Sequence, residues 1–361
     1  MTVEDGDGRP RRRTVAILGA TGLVGQRFVE RLADHPWFEL VAVGASSRSA
    51  GQTYARACSW KLDTALPDAV SAFVVRPCVP REFEGVQIVF SALDSSVAGD
   101  IESEFANAGF AVFTNASPHR MDADVPVLIP FVNPDHLEAA FAQSRASKNG
   151  RSGFIIANAN CASTGLVVAL RPLQQAFGID SALVVTMQAV SGAGYPGVPA
   201  MDIVDNVVPY IPGEEDKLES EPLKILGEWR NGAFRPAEMT LSAQCNRVCV
   251  RDGHLACCSV KLRRPATADE VRDALSQYES PVAQYKLPSA PASPIVVLSA
   301  DDRPQPRLDR DCGRGYTITV GRVRACTLLD VKFTLLSHNT VIGAAGGSLL
   351  NAELAVARGL A

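Results

Sequence analysis

The chain has 361 residues, of which 47% are hydrophobic and 20% are charged, and its formal net charge at pH 7 is −4. This composition is typical of a globular protein with two domains. The acidic balance argues against a nucleic-acid partner, and no stretch reaches the run of about 18 apolar residues that a membrane span requires.

The nine cysteines are scattered and include no C-x-x-C pair. This pattern predicts free thiols in a reducing cytoplasm rather than disulfides or a metal site. The arginines between Arg9 and Arg13 are interpreted as part of a solvated leader. The alternative is a secretory signal, in which these arginines precede the apolar run Thr14–Leu18, but glycines interrupt that run and no cleavage site follows.

The first predicted element is a buried parallel strand over Thr14–Leu18, followed by the glycine-rich stretch Gly19–Gly25 and a helix over Gln26–Leu32. A strand, a glycine turn and a helix in this order form a phosphate cradle for a dinucleotide. The spacing here is G-x-x-G-x-x-G rather than G-x-G-x-x-G. The alternative is a glycine turn that only allows the strand to pack closely on the helix.

A second strand, Phe38–Gly44, leads into Ser46, Ser47 and Arg48. An NAD-selective site usually has an acidic residue here, which accepts hydrogen bonds from the ribose hydroxyls. Serines and an arginine instead donate to a 2′-phosphate, so the sequence favours NADP. The alternative is that Arg48 is an ordinary surface charge.

Two further strands, Val86–Leu93 and Phe110–Asn115, enclose a predicted helix over Ser95–Asn107. This alternation predicts a Rossmann-type, doubly wound parallel sheet. Arg120 follows the carboxyl end of the last of these strands, where ligands of open α/β sheets bind. It could hold an anion there, although a lone arginine is more often structural.

An apolar run from Ile155 ends in asparagines, and Cys161 then opens a predicted helix. The positive end of the helix dipole favours a thiolate at that position, so Cys161 is a candidate nucleophile. The alternative is a buried structural cysteine, since free cysteines are among the most buried residues.

The remaining chain is predicted to form an α+β domain of antiparallel strands with covering helices. Its predicted elements are strands at Leu183–Val190 and Ala256–Leu262, a glycine-rich loop at Ser191–Gly197, a charged helix opening at Gly213, a helix at Asp269–Tyr278 and a C-terminal helix at Ser348–Arg358. A strand and tight turn deliver Arg247 and His254. Of the other histidines, His35, His119 and His136 are expected on surfaces or caps, and His338 is expected to be structural.

Several ordered motifs together resemble the aspartate-semialdehyde dehydrogenase family, particularly its archaeal and fungal branch. They are Gly19–Gly25, Ser117–Met121 with Asp124–Pro126, Asn160-Cys161, Gln188 with Ser191–Gly197, Glu214–Lys217, Asn246-Arg247 with Asp252–His254, Arg303–Arg307, and His338-Asn339. The resemblance runs from about Val15 to Gly359.

The resemblance implies an NADP-binding domain over residues 14–157, with the C-terminal helix 340–361 packing back on it. It implies a catalytic and dimerisation domain over residues 158–339. The implied reaction is the reversible, NADP-dependent conversion of aspartyl 4-phosphate to aspartate 4-semialdehyde and phosphate through a cysteine thioester. No metal, nucleic acid or membrane is implied as a partner, and a cytoplasmic homodimer or homotetramer is expected.

Residue by residue, the resemblance makes Cys161 the nucleophile and His254 the acid/base that accepts and returns protons. Substrate binding falls to Arg247 for the α-carboxylate, Glu214 for the ammonium, Arg120, Asn160 and Lys217 for the phosphate, and Gln188 for the thioester. Cofactor binding falls to Gly19, Thr21, Gly22, Leu23, Val24, Ser46, Ser47, Arg48, Ser91, Ser191, Gly192 and Asn339.

The chain departs from the family pattern at Phe131, Ala159, Cys249 and Ile342, where a glutamate, a proline, a proline and a basic residue are usual. The nearest alternative function is a paralogous acyl-CoA reductase, such as malonyl-CoA reductase, which binds no amino group. N-acetyl-glutamyl-phosphate reductase and a catalytically silent NADP-binding regulator are further alternatives. The acidic residue and lysine at Glu214 and Lys217 favour an aminoacyl phosphate.

Overall fold

Short apolar runs alternate with helices along the chain, and the computed structural model describes residues 12–146 and 152–361. The leader arginines Arg9 and Arg11 lie outside the described residues. The strands of the described chain are β1 Arg13–Leu18, β2 Phe38–Ala45, β3 Arg76–Pro77, β4 Ile88–Ser91, β5 Ala111–Thr114, β6 Val127–Leu128, β7 Phe154–Asn158, β8 Ile179–Gln188, β9 Glu228–Arg230, β10 Ala233–Arg235, β11 Thr240–Arg247, β12 His254–Leu262, β13 Ile295–Leu298, β14 Ile318–Ala325 and β15 Val331–Ser337.

The α-helices are α1 Leu23–Leu32, α2 Tyr54–Ala57, α3 Asp68–Ser71, α4 Ser95–Asn107, α5 Leu137–Ala146, α6 Cys161–Phe177, α7 Ala200–Ile203, α8 Glu214–Ile225, α9 Ala268–Ser276, α10 Pro306–Asp309 and α11 Gly346–Ala357. Short 3₁₀ turns occur at Pro80–Phe83, Pro134–His136, Val190–Ala193, Ala283–Tyr285 and Cys312–Gly315, and a π-type turn at Val341–Ala345. None of the helices in the described parts of the chain is long and apolar enough to cross a membrane.

The chain divides into two compact units. The first contains the described residues up to Pro126 together with 137–158 and 348–361, and the second contains 127–136 and 159–347. In the first unit, six strands are neighbours in one parallel sheet in the order β3-β2-β1-β4-β5-β7. The order reverses at β1, as in a doubly wound sheet, which confirms the predicted Rossmann-type fold.

The predicted helix after the glycine turn begins earlier than expected. Helix α1 starts at Leu23, with Gly22 as its N-cap, so Gly25 lies inside the helix rather than in the turn. Gly25 packs closely on the turn, because a Cβ at this position would lie 2.3 Å from the carbonyl oxygen of Gly19. Glycine is therefore needed there for the helix to pack against the turn.

The large sheet of the second unit has six strands in the order β11-β8-β12-β15-β14-β13. The predicted α+β class is confirmed, and the sheet is mixed, with parallel pairs beside the predicted antiparallel strands. Strand β11 pairs parallel to β8, and β13 pairs parallel to β14, whereas β12 and β15 are antiparallel to their neighbours. The long connection through α8 returns the chain to the same edge, which allows β11 to run parallel to β8.

Two histidines expected on surfaces are buried. His35 is 5% exposed, and its Nε2 lies 2.9 Å from a carboxylate oxygen of Glu353. His136 is fully buried, and its Nδ1 and Nε2 contact Asn133 and the carbonyl oxygen of Gly227. The expected surface position is wrong for both residues, because Glu353 and Gly227, which bury and bind the two rings, are distant from them in sequence. His119 is only slightly exposed, and His338 is buried as expected.

Candidate active site

The nucleophile turn is the connection from β7 to α6. Cys161 is the first residue of α6, and Asn160 is its N-cap. The Asn160 Oδ1 accepts hydrogen bonds from the amides of Ala162, at 2.9 Å, and Ser163, at 3.1 Å. This cap holds the helix start that carries the thiol, where the helix dipole stabilises negative charge.

Helix α8 contributes acidic and basic groups beside this turn. Glu214 Oε1 accepts hydrogen bonds from Asn160 Nδ2, at 2.9 Å, and from Gln188 Nε2, at 3.2 Å. Lys217 Nζ lies 3.4 Å from the other Glu214 oxygen. Four of the residues predicted to bind substrate are therefore gathered within the second unit.

His254 faces the nucleophile. Its Nε2 lies 3.3 Å from the Cys161 Sγ, and its Nδ1 accepts a hydrogen bond from the amide of Ala189 at 3.1 Å. Because a backbone amide can only donate, Nδ1 carries no proton and the neutral ring carries its proton on Nε2. Burial, with the charges of Arg247 and His338, lowers the pKa of His254 to about 3. The ring is thus a neutral donor directed at sulfur.

Arg247 ends β11 and is 6% exposed. One of its guanidinium nitrogens, Nη1, donates to the carbonyl oxygen of Ala189 at 2.8 Å, and burial lowers the pKa of this arginine. The glycine loop lies against the same group, because a Cβ on Gly192 would be 2.8 Å from Arg247 Nη1 and 3.1 Å from His254 Cε1. Only glycine fits this position without displacing one of them.

Asn339 connects two segments around His254. Its Oδ1 accepts a hydrogen bond from the amide of Gly253 at 2.8 Å, and its Nδ2 donates to the Ser191 hydroxyl at 2.8 Å. The sequence predicts cofactor contacts for Asn339 and Ser191. In this structure their side chains bond to each other, so they also fix the turn that precedes His254.

The predicted phosphate cradle lies in the first unit. A Cβ on Gly19 would be 2.4 Å from the carbonyl oxygen of Ala92, and Gly19 has a positive φ of 75°. The N-cap residue Gly22 has no side chain to cap the amides at the start of α1, where Leu23 and Val24 lie. A bare turn with uncapped helix amides fits a pyrophosphate. Tyr54 and Gln26, which the sequence did not single out, donate to the carbonyl oxygens of Ala20 and Thr21 and support the turn.

The other residues predicted to bind cofactor lie at the carboxyl ends of β2 and β4. Ser46, Ser47 and Arg48 are exposed in the turn after β2, where a 2′-phosphate is accessible to them. Ser91 is fully buried, and its hydroxyl donates to a carboxylate oxygen of Glu102 at 2.5 Å. Burial raises the pKa of Glu102. Because the two serines and the arginine of the turn at Ser46–Arg48 are exposed, this turn fits the 2′-phosphate of NADP.

Arg120, the remaining predicted substrate residue, lies in the first unit and is 7% exposed. Its Nε donates to the carbonyl oxygen of Asn158 at 3.0 Å, and one terminal nitrogen donates to the carbonyl oxygen of Asn115 at 2.8 Å. These bonds tie the guanidinium to the ends of two parallel strands.

The four residues that depart from the family pattern differ in their exposure to solvent. Phe131, Ala159 and Ile342 are almost completely buried, and the carbonyl oxygen of Phe131 accepts a hydrogen bond from the Tyr278 hydroxyl at 2.5 Å. Cys249 is exposed. A Cβ on Gly343, next to Ile342, would lie 3.0 Å from the Cys161 Cβ, so this segment packs directly behind the nucleophile.

Comparison with known proteins gives a consistent picture. Residues 14–140 match the model for the NAD-binding domain of semialdehyde dehydrogenases, and residues 170–342 match the model for their dimerisation domain. The chain is 50% identical to an aspartate-semialdehyde dehydrogenase of Cryptococcus neoformans, covering 96% of this chain and 97% of that one. Identity to the enzyme of the same name from Archaeoglobus fulgidus is 46%, covering 96% and 98%.

A solved structure has the same fold. The crystal structure of aspartate-semialdehyde dehydrogenase with NADP from Candida albicans matches with a TM-score of 0.91 and 47% identity, covering 97% of this chain and 100% of that one.

Proposed function

The chain belongs to the semialdehyde dehydrogenase family, and from that premise we propose that it is an NADP-dependent aspartate-semialdehyde dehydrogenase. It reduces aspartyl 4-phosphate to aspartate 4-semialdehyde with release of phosphate, and it also runs the reverse reaction. The observation that carries this proposal is the approach of Cys161 Sγ to 3.3 Å from His254 Nε2.

In the proposed mechanism the Cys161 thiolate attacks the acyl carbon of the substrate. The carbon–sulfur bond forms as the bond from carbon to the phosphate oxygen breaks, and the leaving phosphate takes a proton from solvent. NADPH supplies, when bound, the hydride that reduces the thioester carbonyl. The resulting oxyanion reforms a carbonyl and expels the thiolate. The nucleophile thus divides one difficult step into two easier ones.

His254 has a specific part in this sequence. The amide of Ala189 occupies Nδ1, so the ring cannot take up a second proton without losing that bond. We propose that its Nε2–H donates a hydrogen bond first to the thiolate and then to the oxyanion. Proton exchange by His254, the role that the resemblance implies, then requires the bond from Ala189 to break.

Substrate recognition is assigned by charge. Arg247 binds the α-carboxylate through a bidentate pair, and Glu214 binds the ammonium. Lys217, Asn160 and Arg120 bind the phosphate, and Gln188 orients the thioester. The proximity of Glu214, Lys217, Asn160 and Gln188 to one another supports this assignment.

For the cofactor, we propose that the cradle from Gly19 to Val24 binds the pyrophosphate and that Ser46, Ser47 and Arg48 bind the 2′-phosphate. Ser91, Ser191, Gly192 and Asn339 are proposed to contact the rest of NADP. The proposed cofactor domain spans residues 14–157 with 340–361, and the proposed catalytic and dimerisation domain spans 158–339. These bounds differ from the compact units, which place residues 127–136 and 340–347 in the second unit. The nine free cysteines support a reducing, cytoplasmic location.

The substrate is tested by comparing NADPH oxidation with aspartyl phosphate, N-acetyl-glutamyl phosphate and malonyl-CoA. We expect kcat/KM to be higher for aspartyl phosphate by about 10²-fold or more, because the other two substrates have no ammonium group to form the charged pair with Glu214. Equal or better turnover of malonyl-CoA would establish an acyl-CoA reductase instead.

We propose that the chain forms a homodimer through the exposed face of the large sheet. Leu183 and Val185 on β8 are 47% and 38% exposed, and the paired Cys257 on β12 is also exposed. An open apolar sheet face in a domain of the dimerisation type is suited to a second copy of itself. A tetramer would require a further surface.

The dimer proposal predicts that Leu183→Glu weakens self-association by at least about tenfold, because the charge loses its water at the interface. Sedimentation velocity over a dilution series measures this. Leu328→Glu is the matched control, because Leu328 is 86% exposed in the turn after β14. A Leu183→Glu protein that stays as dimeric as this control would place the interface elsewhere.

A further inference from the structure

Two carboxylates of α8 hold the same residue, Asn160, by its two different amide groups. Glu214 accepts from the side-chain Nδ2 at 2.9 Å, and Glu221 Oε2 accepts from the backbone amide at 2.7 Å. The two glutamates are seven residues apart, which is two helical turns, so they lie on one face of α8. Glu221 is 2% exposed and was not among the residues that the sequence singled out.

The two bonds are not equivalent. Glu214 also contacts Gln188 and Lys217, which leaves it several partners to exchange. On the proposed function, its carboxylate must turn part of its hydrogen-bonding capacity to the substrate's ammonium. Of the two bonds that Asn160 makes to α8, the one from its side chain to Glu214 is therefore the one that substrate binding alters. The bond from Glu221 is to the main chain, immediately before Cys161, and is not involved in that exchange.

The charge of Glu221 does not activate the Cys161 thiol. A negative charge near the start of α6 opposes ionisation of the Cys161 thiol rather than assisting it. A buried carboxylate also costs more free energy than a neutral acceptor would. What Glu221 provides is a short, well-directed bond from a neighbouring helix to the amide that precedes the nucleophile.

We propose that Glu221 is a positioning residue for Cys161. It holds the main chain of the nucleophile turn against α8 while Glu214 exchanges Asn160 for the substrate's ammonium. This inference rests on the proposed function for the identity of that ammonium. The fixed main-chain bond keeps the sulfur aligned with the acyl carbon when substrate is bound, and a misplacement of about 1 Å can lower a rate by about 10²-fold.

The test compares Glu221→Leu, which removes the acceptor, with Glu221→Gln, which keeps an acceptor oxygen without the charge. The control is Glu219→Leu, because Glu219 also accepts a backbone amide, that of Ala243 on β11, at 2.9 Å. For each protein we measure kcat and KM with aspartate semialdehyde, the rate of Cys161 alkylation by iodoacetamide, and the thermal midpoint. Glu221→Asp replaces the leucine variant if that variant does not fold.

We expect Glu221→Leu to lower kcat by about 10²-fold with little change in KM, and to change the alkylation rate of Cys161. Glu221→Gln should recover at least about tenfold of the lost kcat, and Glu219→Leu should lower only the thermal midpoint. The proposal would be overturned if Glu221→Gln lowered kcat as much as Glu221→Leu does. It would also be overturned if Glu221→Leu and Glu219→Leu lowered kcat equally. Alkylation of Cys161 needs no substrate and therefore tests the positioning role separately from the proposed function. If Glu221→Leu changes the alkylation rate while the unmodified protein shows no turnover, the proposed function is wrong and the positioning role is not.

Discussion

Replacement of Cys161 by alanine is expected to lower phosphate-dependent reduction of NADP with aspartate semialdehyde by about 10⁴-fold or more. In the proposed mechanism the Cys161 thiolate is the group that becomes bonded to the acyl carbon, and no neighbouring side chain of the site is proposed to replace it in that step. The binding of NADP is expected to be unchanged within about twofold, because the proposed phosphate cradle is built from other residues. Stopped-flow turnover and fluorescence titration with NADPH measure the two quantities separately.

The chain provides a matched thiol for this experiment. The backbone amides of Leu329 and Leu328 lower the pKa of Cys326, so we expect this thiol, which lies outside the site, to be alkylated as well. Cys326→Ala should retain full activity, and substrate should protect Cys161 but not Cys326 from alkylation. Turnover by Cys161→Ala within about tenfold of the unmodified protein would rule out the covalent mechanism.

Replacement of His254 by alanine is expected to lower kcat by about 10²- to 10³-fold, the usual effect of losing a donor to a developing oxyanion. Because the pKa of His254 is lowered to about 3, the ring is neutral at pH values well above this pKa, including those near neutrality. The profile of kcat against pH in the unmodified protein should therefore have no acid limb near pH 6.5 from this residue. An acid limb near that pH that disappears in a His254→Gln variant would instead identify the ring as a proton shuttle.

His254 also makes the free energy of unfolding depend on pH. Its pKa is about 6.5 in an unfolded chain and about 3 in the folded protein, so between these values the unfolded state binds the extra proton. The free energy of unfolding should fall on acidification below pH 6.5, by up to about 1.4 kcal/mol per pH unit, and be unaffected above it. His254→Ala removes this contribution, whereas His136, whose pKa burial also lowers, remains in both proteins. Urea unfolding at pH 7 and pH 5 gives the comparison.

Local patterns were sufficient to predict much of the first unit. The buried runs at β1, β2, β4 and β5 and the glycine turn that follows β1 are contiguous in sequence, and each is recognisable from a short window. The start of α6 at Cys161 was also predicted, because an asparagine immediately before an apolar helical run is a strong N-cap.

What the sequence did not reveal depends on partners that are distant along the chain. The strand predicted to carry Arg247 is present as the end of β11, but the sequence does not show that β8 lies beside it in parallel. The burial of His35 depends on Glu353, 318 residues away. In the sequence, Glu221 is one more charge in an acidic helix. Its bond to the amide of Asn160 is visible only in the fold, where α8 lies against the turn that holds Asn160. Such roles follow from tertiary contacts rather than from local pattern.

The side chain of Asn160 has a consequence for how the enzyme can evolve. Its oxygen caps α6, and its nitrogen donates to Glu214, the residue proposed to bind the substrate's ammonium. One side-chain amide therefore takes part both in a folding contact and in a contact with the proposed substrate site. Substitutions at Asn160 and Glu214 should therefore be strongly non-additive, and a change of substrate that begins at Glu214 alters the support of the nucleophile in the same step. We expect new specificities to arise more readily through Arg247 and Lys217, whose described contacts do not include Asn160, than through Glu214, the residue proposed to bind the ammonium.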